Sequence, residues 1–342
     1  MKILFIDYIF QKGHVHFNRI HIDSLKAQGY EVRLALYEAM AAQLPYTADE
    51  YDVVIPQRYE QRDGHPLRNR INFLRALRYI QSHVRLDDYD KLIVSSWDEV
   101  TLGLLPLRRD MYLICHANAA NLANRVKGGV IRRMNRLGCH FIVFNDYMAA
   151  PFAAHGIRRV HIVSHGCVAP FTDGQGAIPD ICKGYRRVIF HPSTKADTAF
   201  VDELFAHERL QRYLADTGTL LLLRHRQPRW ADTEQIRFIE AQLNMEDYEQ
   251  LFLHSYLILL AYSDGFAYQV SGVSYEAVAN RKPMAILQHP SLDYCKAFYD
   301  YDPRFANAEE LLELLQQLDR TTGRCIVTAA DLTPDYSFLR HA

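Results

Sequence analysis

The chain has 342 residues, of which 49% are apolar and 23% charged, and its formal net charge is −1. This composition is typical of a globular protein, and the length suits two domains of about 150 residues each. The apolar runs fall far short of the roughly 18 residues that a membrane-spanning helix needs. No small-residue cleavage site follows residues 1–8, so they are predicted to form a strand and not a signal peptide.

Charge distribution and cysteine usage narrow the class of protein further. Residues 1–160 carry an excess of six basic side chains, and the remainder an excess of seven acidic ones. The first half is therefore expected to meet an anionic partner, either an acceptor or a membrane surface. The six cysteines form no C-x-x-C pair, and the sixteen histidines form no pair on a clear helix face. We expect free thiols, a cytoplasmic protein and no structural metal.

Short apolar runs alternate with helical patterns in the first half, which predicts a parallel sheet covered by helices. Strands are predicted at Lys2–Asp7, Glu31–Leu36, Val53–Ile55, Lys91–Ser95, Met111–Cys115, His140–Phe144 and Val160–Val163. Helices are predicted near residues 17–28, 66–84, 119–136 and 147–155.

The second half repeats the alternation. Strands are predicted at Arg187–His191, Thr219–Arg224, Ile236–Glu240, Leu257–Ala261, Pro283–Leu287 and Arg304–Ala306, and helices near residues 197–215, 246–255, 272–281, 291–300 and 308–319. Residues 166–184 contain four glycines and two prolines without periodicity, which predicts a linker. The expected fold class is α/β, with two Rossmann-like domains that face each other across a cleft.

Two common nucleotide-binding motifs do not occur in the sequence. Neither half opens with G-x-G-x-x-G, which disfavours an NAD or FAD enzyme, and the P-loop motif does not occur. Aromatic and basic residues do not alternate on a strand, so nucleic-acid binding has little support.

The stretch Leu257–Leu287 carries the most chemical information. A strand is predicted to end at Tyr262, and a helix to begin at Ser271-Gly272. Open α/β sheets bind ligands beyond the carboxyl ends of their strands, and a helix N-terminus offers free amides to an anion. Glu276, one turn further on, is placed to accept hydrogen bonds from ribose or sugar hydroxyls. In the alternative interpretation, Ser271 only caps the helix and Glu276 is a solvated acid.

The same stretch resembles the donor-binding region of group-1 GT-B glycosyltransferases. That family shows a Ser-acid-Gly-Phe loop, a Glu-Ala helix and a Gly-Lys-Pro turn, and the matching residues are Ser263–Phe266, Glu276-Ala277 and Arg281-Lys282-Pro283. Weaker matches occur at Gly13-His14, His116, Ser164-His165-Gly166 and Lys195. The resemblance implies an acceptor domain at 1–165, a linker at 166–184, a nucleotide-sugar domain at 185–325 and a C-terminal segment, 326–342, that packs back toward the hinge.

One position departs from the family pattern. Retaining members place two glutamates eight residues apart, and Tyr268 stands eight residues before Glu276. The nearest acid, Asp264, stands twelve residues before Glu276. Either the loop carries an insertion or only the later glutamate is used, so the stereochemistry of transfer stays open.

On the donor side, the resemblance implies that cations and helix amides, and no metal, compensate a diphosphate. The residues expected to bind the donor are Ser193, Lys195, Arg224, Ser271, Gly272, Val273, Ser274 and Glu276. Lys195 has the stronger case of the two cations, because it opens a loop before a helix. Arg224 lies among other basic residues, and a solvated surface position is its alternative.

On the acceptor side, an inverting route needs a proton acceptor near the reacting hydroxyl. His116, His14 and Asp98 follow predicted strands and are the candidates, and the residues expected to act in catalysis are His116, Asp98 and Glu276. Gly13, His14 and Asn118 are expected to contact the acceptor. A histidine at a strand end is as readily a structural residue bonded to the backbone, but three candidates in one domain favour function.

Two basic stretches lie on predicted helices of the first half. They comprise Arg68, Arg70, Arg75 and Arg78, and Arg125, Lys127, Arg132, Arg133 and Arg136. Amphipathic basic faces suit an anionic membrane that carries a lipid-linked acceptor, although a solvated helix face is the commoner explanation.

The predicted function is a metal-independent glycosyltransferase of polysaccharide biosynthesis, which moves a sugar from a nucleotide-sugar to a hydroxyl of a glycan or glycolipid. It needs no cofactor beyond this donor substrate and is expected in the cytoplasm, at the inner face of the membrane if the basic faces bind lipid. A nucleotide-sugar 2-epimerase, which has the same two-domain fold, and a non-catalytic nucleotide-sugar binding protein are the alternatives.

Overall fold

The computed structural model describes residues 1–9, 14–61, 65–105, 110–172, 178–226, 228–239, 242–321 and 323–341. The chain divides into two compact units. The first comprises Met1–Gly166, Tyr268–Val270 and Thr333–Ala342, and the second comprises Cys167–Ala267 and Ser271–Leu332. Each unit is built around its own parallel sheet.

The sheet of the first unit has the strand order β3-β2-β1-β4-β5-β6-β7. Its parallel strands are β1 (Lys2–Asp7), β2 (Glu31–Tyr37), β3 (Tyr51–Ile55), β4 (Lys91–Ser96), β5 (Met111–Ile114), β6 (His140–Val143) and β7 (Val160–Ile162). In β1 the consecutive residues Ile3, Leu4 and Phe5 are fully buried, because helices cover both faces of such a sheet. The strand order reverses between β1 and β4, which creates a crevice for ligands at the carboxyl ends of these strands.

The structure describes six α-helices in the first unit. They are α1 (His14–Ala27), α2 (Glu38–Ala41), α3 (Pro66–His83), α4 (Glu99–Gly103), α5 (Arg125–Arg136) and α6 (Asp146–Ala154). The Asn124 side chain accepts hydrogen bonds from the amides of Val126 and Lys127, and Pro66 occupies the first position of α3. Both features are expected at helix N-termini, where amides lack partners within the helix.

The second unit repeats this plan with the strand order β10-β9-β8-β11-β12-β13. Its parallel strands are β8 (Arg187–His191), β9 (Thr219–Arg224), β10 (Ile236–Ile239), β11 (Leu257–Leu260), β12 (Met284–Leu287) and β13 (Arg304–Phe305). Its helices are α7 (Thr198–Ala206), α8 (Glu208–Thr217), α9 (Met245–His254), α10 (Gly272–Ala279) and α11 (Ala308–Thr321). Here the order reverses between β8 and β11, so the carboxyl ends of β8 and β11 meet at the switch point.

The structure confirms the α/β class, and each predicted strand is present. The observed helices differ from the predicted ones more than the strands do. The helix predicted at 119–136 is a 3-10 segment, Asn118–Ala123, followed by α5, because extended Asn124 interrupts it. The helix predicted at 197–215 divides at His207, and the one predicted at 291–300 is a 3-10 helix, Pro290–Phe298. Across the described ranges, no helix is both long and apolar enough to cross a membrane.

Candidate functional site

The loop after β8 lies against the end of β11 in the second unit. Ala196 forms a β-bridge with Tyr262, and the Asp197 amide donates a hydrogen bond of 2.8 Å to the Ala261 carbonyl. Within this loop the Lys195 amide donates to the Ser193 hydroxyl at 3.1 Å, and Lys195 is exposed. The predicted donor residues Ser193 and Lys195 are thus fixed beside the strand end that leads toward α10.

Ser271 precedes α10, but its side chain does not cap the helix. The Ser271 hydroxyl instead forms a buried hydrogen bond of 2.8 Å with the Tyr262 hydroxyl. The alternative in which Ser271 only caps a helix is therefore wrong. Its hydrogen bond joins the start of α10 to the end of β11.

The first turn of α10 has two occupied amides and two at the open helix end. The Ser271 amide donates to the Tyr294 hydroxyl at 3.2 Å, and the Ser274 amide donates to the Ser271 carbonyl at 3.1 Å. Gly272 and Val273 are the first two helical residues, whose amides have no acceptor within a helix. Gly272 is exposed, and no atom lies within 4 Å of the place that a Cβ would occupy. An anion can approach the backbone at this point.

Glu276 is partly buried and does not behave as a solvated acid. Its Oε2 accepts a hydrogen bond of 2.5 Å from the Tyr248 hydroxyl. Burial raises the pKa of Glu276, the hydrogen bond from Tyr248 opposes that rise, and the charge of Glu249 adds to it. The solvated alternative for Glu276 is therefore also wrong.

Arg224 lies at the end of β9 and reaches the same group of side chains. Its Nη1 donates to the Pro192 carbonyl at 3.2 Å, and its guanidinium lies 5.8 Å from the centre of the Tyr248 ring. The structure thus brings Arg224, Tyr248 and Glu276 together in the second unit, and connects them through Pro192 to the loop that carries Lys195.

We call Lys195, Arg224, Ser271 to Ser274 and Glu276, with the side chains that contact them, the donor-side cluster. Four of its residues were not predicted as site residues. Tyr262, Tyr248 and Tyr294 supply the hydroxyls that hold Ser271 and Glu276, and buried His191 ends β8. Burial lowers the pKa of His191 to about 4, although backbone groups of Ser193 and Ala261 oppose the shift. His191 is therefore neutral at pH 7. The position of His191 and Tyr262 after apolar strands was the one signal in the sequence that pointed to them.

Acceptor-side candidates meet in the first unit at the carboxyl ends of β1, β4 and β5. His14 begins α1, and its Nδ1 lies 2.9 Å from the Ser96 hydroxyl. The ring of His116 lies 4.3 Å from the ring of His14, and its Nε2 lies 3.0 Å from the Ser95 carbonyl. Gly13, also predicted here, lies outside the described residues.

Both histidines are held in the neutral form. Burial lowers the pKa of His14, with partial opposition from the Asp7 carboxylate. Burial and the neighbouring His14 and His165 hold the pKa of His116 well below its usual value. Because a carbonyl oxygen only accepts hydrogen bonds, Nε2 of His116 carries the proton and its Nδ1 keeps a lone pair. This tautomer leaves Nδ1 of His116 able to accept a proton.

Asp98 and Asn118 have structural partners within the first unit. The Asp98 carboxylate caps α4 by accepting from the Thr101 amide at 2.9 Å, and it lies 3.6 Å from Nε of Arg70. Asn118 donates at 2.9 Å to the buried carboxylate of Glu99. These contacts give both residues a role in holding the loops after β4 and β5.

An aromatic cluster surrounds the two histidines and is also new relative to the sequence prediction. The Phe17 ring lies 4.1 Å from His21, 4.7 Å from His116 and 5.0 Å from His165. His21 Nδ1 lies 2.6 Å from the Tyr336 hydroxyl. Among the residues that the structure describes, no group of three or more His, Cys, Asp or Glu side chains is arranged to hold a metal ion.

Tyr268 stands eight residues before Glu276, where the sequence resemblance would have placed a glutamate. It belongs to the first unit, has a φ of 55°, and stacks on Tyr147 with ring centres 4.7 Å apart. A positive φ is uncommon for a residue with a Cβ and is retained where surrounding contacts hold it. The stacked ring supplies that contact.

Comparisons with known proteins rest on structure. No family model matches the sequence, and no curated protein is significantly similar to it. WaaG, a glycosyltransferase involved in lipopolysaccharide biosynthesis, is 14% identical with a TM-score of 0.55, and the match covers 94% of this chain and 91% of WaaG. UDP-N-acetylglucosamine 2-epimerase from Rickettsia bellii is 12% identical with a TM-score of 0.50, covering 94% and 88%. The N-terminal domain of Candida albicans trehalose-6-phosphate phosphatase is 10% identical with a TM-score of 0.60, covering 92% and 90%.

These similarities establish the GT-B fold that the sequence predicted, with two Rossmann-like domains. The three similar structures are described as a transferase, an epimerase and a phosphatase domain. Because one fold accommodates different reactions, the function of this chain has to be argued from its own side chains.

Proposed function

We propose that this protein is a glycosyltransferase that moves a sugar from a nucleotide-sugar donor to a hydroxyl of a glycan or glycolipid. The observation that carries the proposal is the donor-side cluster of the second unit. It combines a partly buried carboxylate at Glu276, cations at Lys195 and Arg224, and the open amides of Gly272 and Val273. A carboxylate for hydroxyls beside positive groups for phosphates matches the two ends of a nucleotide-sugar.

Donor chemistry follows from the charges of that cluster. When the bond between the anomeric carbon and the diphosphate breaks, negative charge grows on the leaving diphosphate. The amides at the start of α10 are oriented before the reaction and stabilise this charge, and Lys195 adds a positive charge so that no metal ion is needed. Glu276 accepts hydrogen bonds from ribose or sugar hydroxyls and so orients the donor. WaaG is described as a glycosyltransferase of the same fold.

Acceptor chemistry needs a site for one proton. The acceptor oxygen forms a bond to the anomeric carbon and transfers its proton to a base. Nδ1 of His116 is the strongest candidate, because its partner nitrogen already donates to the Ser95 carbonyl. His14 lies beside it and is the second candidate. Asp98 is third, since its carboxylate caps a helix.

Nucleotide binding gives the first test of this proposal. We expect one or more of UDP, ADP, GDP, CDP and dTDP to raise the melting temperature by an amount that grows with ligand concentration. Glu276→Ala should weaken that ligand at least tenfold, or about 1.4 kcal/mol. Glu313→Ala, which removes an exposed carboxylate on α11 of the same unit, is the control. No stabilisation by any of the five, or equal affinity in Glu276→Ala, would contradict the donor site.

A nucleotide-sugar 2-epimerase is the second candidate, favoured by the Rickettsia bellii structure of the same fold. Incubation with a nucleotide-sugar alone separates the two functions. A transferase leaves the sugar configuration unchanged without an acceptor, whereas an epimerase inverts C2. Proton NMR of the recovered sugar distinguishes these outcomes, and epimer formation would reverse the ranking.

We also propose that the first unit docks on an anionic membrane, which suits a lipid-linked acceptor. Helices α3 and α5 both pack beside α4, and Arg133 of α5 donates to the Gly103 carbonyl of α4 at 2.7 Å. Exposed apolar and basic residues lie on, or directly after, α3, α4 and α5. They are Leu67, Ile71, Leu104, Val126 and Leu137, with Arg68, Arg75, Arg78, Arg125, Arg133 and Arg136. Apolar insertion and attraction to anionic lipid act together on such a surface.

Vesicle sedimentation tests the docking surface. The protein should pellet with phosphatidylcholine vesicles that contain phosphatidylglycerol and stay in solution with phosphatidylcholine alone. Reversing the charge of Arg68, Arg125 and Arg136 to Glu should abolish pelleting, since each basic residue contributes about 1 kcal/mol near such a surface. The same change at Arg212, Arg226 and Arg320, which are exposed on the second unit, is the control. Equal recovery in the supernatant with both lipids would end the idea.

A further inference from the structure

The contact between Tyr248 and Glu276 joins two helices of the second unit. Tyr248 is on α9 and Glu276 is on α10, and their oxygens are 2.5 Å apart. This is the length of a charge-assisted hydrogen bond in which a hydroxyl donates to a carboxylate. The Tyr248 ring is held in turn by the Phe171 ring, at 6.1 Å and nearly perpendicular, and by the Phe252 ring at 5.9 Å.

The Glu276 carboxylate would be costly to keep ionised in this environment without a donor. Burial favours its neutral form and raises its pKa, while the Tyr248 hydroxyl favours the charged form. An ionised carboxylate offers about four lone-pair sites, so one bond to Tyr248 leaves capacity for ligand hydroxyls. A protonated carboxyl would offer fewer sites and would present a donor in their place.

Charged and titratable groups around Glu276 are few. Glu249 of α9 raises the pKa of Glu276 by repulsion. Tyr262, at the end of β11, interacts electrostatically with Glu276. Arg224 of β9 lies over the Tyr248 ring and interacts with its hydroxyl. Of these four residues, Tyr248 is the one that donates a hydrogen bond to the Glu276 carboxylate.

We propose that Tyr248 is the positioning residue for Glu276, and that its hydroxyl holds the carboxylate ionised and aimed so that it can accept hydroxyl groups of the donor. The ligand part of this inference rests on the proposed function. Tyr248 is not required to touch the donor. Its effect on binding passes through the charge and orientation of Glu276, and it should therefore depend on pH.

The first experiment needs no ligand. Carboxyl signals of the full-length protein labelled with carbon-13 glutamate are followed by NMR against pH, and Glu276→Gln identifies the signal of Glu276. In Tyr248→Phe the midpoint of this signal should move up by about one pH unit, since a hydrogen bond to a charged group contributes about 1.5–3 kcal/mol. The phenylalanine ring keeps the packing against Phe171, and an unchanged circular dichroism spectrum at 25 °C checks the fold. An unchanged midpoint would overturn the proposal.

The second experiment measures the affinity for the nucleoside diphosphate that stabilises the wild type. Tyr248→Phe should weaken binding most, by up to about tenfold, at pH values below the carboxylate midpoint that the NMR titration gives, and less than about twofold at pH 9. In a Glu276→Gln background, Tyr248→Phe should add nothing. A uniform loss at every pH would show a merely structural role and overturn the inference. A shifted midpoint without nucleotide binding by the wild type would refute the proposed function but keep the link between Tyr248 and Glu276.

Discussion

The two cations of the candidate diphosphate site, Arg224 and Lys195, differ in how the protein holds their side chains. Arg224 is tied to the Pro192 carbonyl and lies over Tyr248, so its removal would disturb the protein as well as a ligand. Lys195 is exposed, and the hydrogen bond that orders its loop comes from its backbone amide. Its side chain can therefore be replaced with little structural consequence, and the change reports on the ligand alone.

At the residue scale, Lys195→Ala should raise the Kd of the bound nucleoside diphosphate about tenfold, because a charge-assisted hydrogen bond contributes about 1.5–3 kcal/mol. The melting temperature of the free protein should not change. Calorimetric titration measures the Kd, and higher salt should reduce the difference between the variants. Lys183→Ala removes another exposed lysine of the second unit and should leave the Kd unaltered. Equal affinities in the wild type and Lys195→Ala would place the phosphates elsewhere.

At the scale of elements, the strands could be predicted from the sequence, but the side chains that contact each helix could not. The apolar run Leu257–Leu260 is buried along its whole length, as expected of a strand in a parallel sheet that helices cover on both faces. α4 has five residues, too few to show a helical period. The residues that hold α10 come from three separate stretches of sequence, at Tyr248, Tyr262 and Tyr294. No local spacing connects them, because their proximity follows from the order of strands in the sheet.

The Tyr294 hydroxyl contacts two groups at the start of α10. Tyr294 accepts from the Ser271 amide at 3.2 Å and lies 2.8 Å from the Ser274 hydroxyl. Tyr294→Phe leaves both groups without this partner, and we expect the free energy of unfolding to fall by about 1–3 kcal/mol. Nucleotide affinity should fall as well, since the amides of Gly272 and Val273 belong to the same turn.

Urea denaturation followed by circular dichroism measures the effect of Tyr294→Phe. Tyr185→Phe is a matched control, because it removes an exposed hydroxyl that donates to the Glu234 carbonyl at 2.5 Å. The control should cost less than about 1 kcal/mol. If both variants lost equal stability, Tyr294 would not have the anchoring role that its contacts indicate.

At the scale of the whole molecule, topology made the candidate site partly predictable. Lys195 and Arg224 were selected at strand ends in the second unit and His116 at a strand end in the first, and the carboxyl ends of parallel strands lie at one edge of each sheet. The sequence did not show which hydrogen bonds each side chain makes or how deeply it is buried. Asp98 was predicted as a candidate proton acceptor, and its carboxylate caps α4. The histidines gave no sign of their burial, which depends on rings such as Phe17 packing across the unit.

Buried neutral imidazoles in both units make the stability of the protein depend on pH. Burial lowers the pKa of His165 in the first unit and of His191 in the second to about 4. In the unfolded chain a histidine has a pKa of about 6.5, so below that pH the unfolded state binds more protons. The stability these groups provide is complete above pH 6.5 and is lost as the pH falls toward 4. Each contributes up to about 1.4 kcal/mol per pH unit in this window.

We therefore expect both units to melt at lower temperature at pH 5.5 than at pH 7.5, with a loss of about 1 kcal/mol per buried histidine. Scanning calorimetry follows the two units separately if they unfold in separate transitions. His191→Phe removes the titrating group, so the pH dependence of the second unit should become shallower. His83→Gln, at an exposed position of the first unit, should leave the pH dependence as it is. If His191→Phe lost stability with falling pH as steeply as the wild type, the acid sensitivity would have to come from other groups.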